Sequence, residues 1–246
     1  MPAVVGVAAT VALAAAAVYA KALTVPAGAA AATFGAVIVV LAGFPYLILV
    51  VVFVVLAVLA TRYRFDEKRS RNVQEGRQGE RGVPNVLAHI IVPTALVIVA
   101  AAVPSVFPEE DLALLFTAAL AFGMADTLAS EFGVLSGHAR SLLTGRPVTP
   151  GTNGGVSATG EAWAFAGALV TAAAGLGLFL VFGYATPGTA LLIGGATLSG
   201  FIGCQVDSVF GETLENPGYL TNGWTNFLAM VSTVLIASGL LLAFSP

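Results

Sequence analysis

The chain has 246 residues, of which 58% are hydrophobic and 9% charged, with a formal net charge of −3. An ordinary soluble domain is about 45–50% apolar and about 25% charged, so this composition excludes a water-soluble globule and describes an integral membrane protein. The lone Cys204 excludes an intramolecular disulfide, and His89 and His138 stand too far apart in the chain to suggest a zinc cluster.

Residues 3–20 are apolar and alanine-rich with no positive segment before them, which predicts a retained first span rather than a cleaved signal. Residues 27–42 predict a short second span or a re-entrant segment, since spans usually need about 17–25 residues. Gly43-Phe44-Pro45 punctuates the turn into a third span over 46–62. The segment 62–83 then carries seven of the ten basic residues, Arg62, Arg64, Lys68, Arg69, Arg71, Arg77 and Arg81, and the positive-inside rule places it in the cytoplasm.

Further spans are predicted at 84–104, 112–135, 160–183, 189–212 and 222–244. Alternating from the basic loop, Glu109-Glu110-Asp111 falls outside, while Lys21 and the glycine-rich loop 137–157, with Arg140 and Arg146, fall inside. All ten basic residues thus lie on one side. The expectation is an all-α, polytopic transmembrane helix bundle forming a single domain over 1–246. It has eight spans, or six to seven if the amino-terminal hairpin is not fully inserted, and it lies in the plasma membrane with its polar face toward the cytoplasm.

Four polar clusters converge on that face. Asp126, Thr127, Ser130 and Glu131 are spaced by four in pairs, which predicts one helical stripe able to offer oxygen ligands to Mg²⁺. The plainer reading is a polar contact within the bundle. A charge at a span centre costs roughly 2.5–3.5 kcal/mol, which favours a functional use for two acids in one turn. Cys204, Asp207, Ser208, Gly211 and Glu215 form a second stripe. Asp126-Thr127-x-x-x-Glu131 and Asp207-Ser208-x-x-x-Glu212 match as a weak internal repeat or as chance.

The loop Gly151-Thr152-Asn153-Gly154-Gly155-Val156-Ser157 leads directly into a span, with Ser157 or Thr159 as its cap. Glycines allow close ligand approach, and successive backbone N–H groups at a helix amino terminus attract phosphate. The Gly-Lys-Ser/Thr ending of a Walker loop is absent from this segment. The basic loop is primarily a topogenic signal, although Arg77-Gln78-Gly79-Glu80-Arg81-Gly82 also offers arginines to a phosphate. Asn222 and Asn226 lie one helical turn apart and serve a base, a metal-bound water or a neighbouring helix equally well.

Three motifs carry a resemblance: Ala125-Asp126-Thr127-Leu128-Ala129-Ser130-Glu131-x-Gly133, Val148-x-Pro150-Gly151-Thr152-Asn153-Gly154-Gly155-Val156-Ser157-x-x-Gly160, and Gly203-x-x-x-Asp207-Ser208-x-x-Gly211. With weaker matches at Asn85-Val86-Leu87-Ala88, Asn222 and Asn226, the chain resembles the integral-membrane family that includes the phytyl-phosphate kinase of plant tocopherol salvage. The likeness extends from about residue 30 to 240. His89 stands where that family more often has asparagine, and Glu215 where glutamine is expected.

The resemblance implies phosphoryl transfer from a nucleoside triphosphate, with CTP one candidate, to an isoprenoid monophosphate in the membrane lipid. It implies no nucleic-acid partner and leaves the oligomeric state open. On this reading Asp126, Glu131 and Asp207 hold one or two Mg²⁺ ions. Gly151, Thr152, Asn153, Gly154, Gly155 and Ser157 surround the donor phosphates, with Thr127, Ser130, Ser208, Asn222 and Asn226 beside them, and Arg77 or Arg81 assists. The rivals are a secondary transporter using the membrane acids for a coupling ion, and another lipid phosphotransferase or nucleotidyltransferase.

Overall fold

Hydrocarbon offers no partner to a peptide group, so the apolar runs satisfy their backbones internally as helices. The computed structural model describes residues 2–105 and 107–244. In chain order the helices are α1 (Pro2–Tyr19), α2 (Val25–Leu41), α3 (Phe44–Arg62), the short α4 (Phe65–Ser70), α5 (Val83–Ala102), α6 (Glu109–Gly133), α7 (Ala158–Phe182), α8 (Thr189–Phe210) and α9 (Asn222–Phe244). A π turn, Gly211–Glu215, extends α8. Among the described residues six helices have the length and apolarity to cross a membrane, and α1 and α2 are shorter apolar helices, in agreement with a polytopic bundle of six to eight spans.

The predicted boundaries fall close to these. Gly43, at φ +95°, turns the chain between α2 and α3, and Pro45 lies in the first turn of α3, where its missing N–H costs nothing. Ser157, and not Thr159, caps α7 by accepting from Gly160 N at 3.0 Å.

α6 is the axis of the bundle. Every residue from Leu112 to Ala125 is buried, as expected for a helix that is apolar all round. α3, α5, α7, α8 and α9 surround it. Small residues set the closest approaches: a β-carbon at Gly167 on α7 would lie 2.9 Å from the Met124 carbonyl oxygen, and one at Gly200 on α8 would lie 2.8 Å from Ala121 Cβ.

The two polar loops are more structured than expected. The basic segment contains α4, which folds Lys68 completely inward. Its far end is tied to the α1–α2 turn, where Arg81 N donates to the Ala22 carbonyl at 2.9 Å and Thr24 N to the Arg81 carbonyl at 3.1 Å. The glycine-rich loop forms an antiparallel three-stranded sheet, β1 (Ala139–Ser141), β2 (Pro147–Val148) and β3 (Gly155–Val156), with β1 central. Arg140 pairs with Pro147 on one side and Val156 on the other. This small sheet and the parallel bridge between Leu23 and Arg81 are the β-structure that the described residues add to an otherwise helical chain.

Both loops lie at the end of the bundle formed by the carboxyl termini of α3, α6 and α8 and the amino termini of α5, α7 and α9. All ten basic residues belong to segments at this end, so the sequence-based count of sides agrees with the arrangement of the helices.

Candidate functional site

The helix periodicity of α6 divides its polar stripe in two. Asp126 and Ser130 line a cavity of about 150 Å³ at the basic end of the bundle. Thr127 and Glu131, turned about 100° further round the helix, do not line it. Ser130 Oγ remains within 2.9 Å of the Asp126 carbonyl and 3.1 Å of the Thr127 carbonyl, bonding its own helix. Thr127 is buried in the bundle.

The α8 stripe fares differently, because Cys204, Asp207, Ser208, Gly211 and Glu215 all line the same cavity. The loop from Pro150 to Ser157 forms the facing wall, with Gly151 at φ +90° and Gly154 at φ +76°. Gly154 is required twice over. Besides its left-handed backbone, a β-carbon there would meet the Ser208 carbonyl at 2.6 Å and Glu212 Cβ at 2.7 Å.

Asn226, on α9, joins the two aspartates. One end of its amide lies 3.5 Å from Asp126 Oδ2. In the orientation that satisfies the group, its nitrogen donates to Asp207 Oδ1 at 3.0 Å and to the Asn222 carbonyl at 3.3 Å. Its oxygen then faces Asp126, acceptor against acceptor, a pairing that a shared cation or proton resolves. Asn222 itself lines the cavity.

Two further acids complete the lining, Glu215 from the α8 stripe and Glu161, which no sequence motif marked. Glu161 Oε2 accepts from Gln205 Nε2 at 2.8 Å, and Glu215 Oε2 from Thr225 Oγ1 at 3.2 Å. The available signal for Glu161 was its position one helical turn after the capping Ser157. Four carboxylates thus face one small cavity whose described lining has no lysine or arginine. Such negative charge in a poorly solvated place calls for a cation. Among the described residues no group of three or more His, Cys, Asp or Glu stands close enough to enclose a metal alone. The arrangement therefore fits an ion such as Mg²⁺, which takes one or two carboxylates and completes its shell with water and phosphate.

Glu131 is a correction to the expected metal set. Its Oε2 pairs with Lys68 Nζ at 2.7 Å, and its Oε1 accepts from Thr61 Oγ1 at 2.5 Å. Lys68 Nζ spends its other two protons on the carbonyls of Ala60 and Thr61, at 2.8 and 3.1 Å. Arg81 extends this network, donating through Nη2 to Thr61 Oγ1 at 3.2 Å and through Nη1 to Asn85 Oδ1 at 2.9 Å. Burial lowers the Arg81 pKa, opposed by the charges of Glu75, Glu131 and Asp126. Arg77 is exposed, with its backbone N–H donating to Glu80 Oε1 at 3.2 Å, and it takes no part in the cavity.

Glu212 plays the corresponding part on α8. Its Oε1 accepts from Ser141 Oγ at 2.6 Å, and its Oε2 from Leu143 N at 3.4 Å. In each of the two matched sequence segments the aspartate enters the cavity and the glutamate five residues later clamps a loop.

These features define a polytopic membrane protein with an acidic, glycine-walled cavity at the basic end of its bundle. The chain belongs to the family described as Integral membrane protein DUF92, whose family model matches residues 8–236. It is 30% identical over 200 residues to an uncharacterized membrane protein of Methanocaldococcus jannaschii, covering 80% of this chain and 76% of that protein. An uncharacterized membrane protein of Synechocystis is 33% identical over 189 residues, covering 73% of this chain and 67% of that protein. Protein PGR of Arabidopsis thaliana is 32% identical over 200 residues, covering 72% and 67% respectively. No solved structure matches.

Proposed function

We propose that this protein is a prenyl-phosphate kinase, transferring the terminal phosphoryl group of a nucleoside triphosphate to an isoprenoid monophosphate. The observation that carries the reading is the meeting of Asp126 and Asp207 across the Asn226 amide, in a cavity walled by Gly151–Gly155 at the amino terminus of α7. Phosphoryl transfer asks mainly for charge neutralisation and alignment, and this cavity has the parts for both.

On this reading Asp126 and Asp207 would hold Mg²⁺, which would supply charge neutralisation to the phosphate oxygens. The backbone N–H groups of the glycine loop and the α7 amino terminus cradle the donor phosphates. An oxygen of the acceptor phosphate attacks the terminal phosphorus, and the bond to the bridging oxygen breaks. A nucleoside diphosphate leaves with that bond's electrons, and prenyl diphosphate forms. The acceptor is already an anion, so no strong general base is needed. Asn226 fixes the spacing of the two acids, while the clamps on Lys68 and Ser141 hold both loops in register.

The acids lie near helix ends, Asp126 about 10 Å before the end of α6, rather than midway along the helices as a transport site would require. The concentration of basic residues at this end supports a cytoplasmic orientation in the plasma membrane, where nucleotides are available. The test is incubation of the purified protein with Mg²⁺, each common nucleoside triphosphate in turn, and phytyl or geranylgeranyl monophosphate. Prenyl diphosphate is the expected product, and its absence with every donor removes the kinase reading.

A further inference from the structure

An acidic cavity is a poor resting place for an anionic lipid headgroup. The acceptor needs a positive anchor and an apolar path from the bilayer, and both are found where α1, α2 and α3 meet the start of α5. Between α1, α2 and α3 runs a groove of about 350 Å³ lined almost entirely by aliphatic side chains. It follows α3 from Leu47 to Leu59, a length of about 18 Å at 1.5 Å per residue. A smaller cavity of about 50 Å³ shares Leu23, Ala31, Val50 and Val54 with the groove and continues inward to Arg81, Asn85 and His89.

The inner end is chemically unfinished. Arg81 is only 6% exposed, yet its Nε has no hydrogen-bond partner, and the buried His89 Nδ1, turned toward Gly123 of α6, has none either. A buried guanidinium N–H left unpaired is costly, and a ligand oxygen would recover that cost. Arg81 also immediately precedes the amino terminus of α5, whose cap, Gly82, supplies no side-chain bond and whose dipole favours an anion. A β-carbon on Gly223 of α9 would lie 3.9 Å from the Pro84 carbonyl oxygen, so the α5 and α9 amino termini meet. Asn222, next to Gly223, lines the carboxylate cavity. The unfinished cationic end and the acidic cavity are thus neighbours across these two helix ends.

We propose that the isoprenoid acceptor enters from the α1–α3 side, with its chain in the aliphatic groove and its phosphate on Arg81 and the amino terminus of α5. This rests on the kinase reading and names the half of the site that the acidic cavity does not provide. Charge complementarity selects the occupant: a single aliphatic chain suits the narrow groove, and one anionic group suits its inner end. The charges of Glu75, Glu131 and Asp126 also act on Arg81. Lys68 offsets Glu131, and a divalent ion on Asp126 offsets the remainder. Donor and acceptor then approach each other from opposite sides, and bulk phospholipid, with two chains, is disfavoured.

The test uses wild-type protein in lipid nanodiscs with a diazirine-tagged geranylgeranyl monophosphate, photolysed and mapped by mass spectrometry. Adducts on α1–α3, around Ala31, Val50 and Val54, that unlabelled geranylgeranyl monophosphate displaces and geranylgeraniol displaces poorly are the expected result. Adducts confined to α7–α9, or displaced by added phosphatidylglycerol but not by the prenyl phosphate, overturn it.

Where turnover is measurable, Val51→Trp, which narrows the groove but not the inner cavity at Arg81, raises KM for geranylgeranyl monophosphate by about tenfold or more while sparing KM for the nucleotide and turnover of dimethylallyl monophosphate. Equal losses for the long and short acceptors contradict the groove. If no prenyl phosphate is turned over by the wild type, the kinase reading falls, while the cross-link map still decides whether the groove binds this lipid class.

Discussion

Lys68 Nζ and Glu131 Oε2 lie 2.7 Å apart, with side chains 0% and 8% exposed, and the pair fastens the loop after α3 to the end of α6. Every proton of the ammonium group is used, so the pair is a structural clamp rather than a free ligand. Removing one partner leaves a buried charge, for which the usual cost is about 3–5 kcal/mol. Lys68→Met and Glu131→Gln should each lower the melting temperature sharply. The double variant should recover much of that loss, and thermal denaturation in detergent measures all three. Additive losses would mean that the two residues do not act as a pair.

Asp126→Asn and Asp207→Asn should behave in the opposite way. Each removes one of four carboxylates from an unneutralised cavity, so the folded protein should gain thermal stability without Mg²⁺ and lose its stabilisation by Mg²⁺. Turnover should fall by about a hundredfold to a thousandfold or more, the scale set by loss of one pre-organised electrostatic group. Differential scanning fluorimetry with and without Mg²⁺ checks the first part independently of any substrate.

Gly154→Ala should uncouple the glycine loop from α8. Its positive φ and the approaches of 2.6 Å to the Ser208 carbonyl and 2.7 Å to Glu212 Cβ leave no room for a methyl group. A loss of about 1–3 kcal/mol in stability and a marked rise in KM for the nucleotide are expected. Gly145→Ala is the control, because Gly145 has φ +68° but nothing within 4 Å of an added β-carbon. It should cost about 1–2 kcal/mol from the left-handed backbone alone and leave KM unchanged.

Stability should depend on pH through Glu75 in the basic loop. Burial raises its pKa above the ordinary 4.5, with Glu131 and Glu80 adding to the shift and Arg81 opposing it. A carboxyl whose folded pKa is raised favours the folded state while protonated, and that contribution is lost as pH rises from 4.5 through the raised value. Glu75→Gln should therefore stabilise the protein at neutral pH and flatten the pH profile in that window. Melting curves from pH 4 to 8 measure it, and an unchanged slope would contradict the assignment.

The polytopic helical fold was legible because apolar length and glycine–proline punctuation are local signals. The α8 half of the site was legible for the same reason: Cys204, Asp207, Ser208, Gly211 and Glu215 share a face by helix period alone, and all of them line the cavity. On α6 the period was also informative, but it does not say which neighbour each face meets. Glu131 lies against α3 and α4 rather than the cavity, because α4 folds Lys68 back onto it. That fold depends on a six-residue helix with no apolar signature of its own. Glu161 was overlooked because a single acid in the first turn of a helix ordinarily complements the helix dipole. Only the meeting of α7 with α6 and α8 makes it the fourth carboxylate of the cavity.

On the proposed function, the cavity between Asp126 and Asp207 transfers a phosphoryl group to a lipid-borne phosphate. The most direct measurement is the fate of γ-labelled nucleoside triphosphate incubated with Mg²⁺, geranylgeranyl monophosphate and either wild-type protein or folded Asp126→Asn. Label appearing in geranylgeranyl diphosphate with the wild type and not with the variant is the predicted result. Equal labelling by the two proteins, or none with any donor nucleotide, would contradict it.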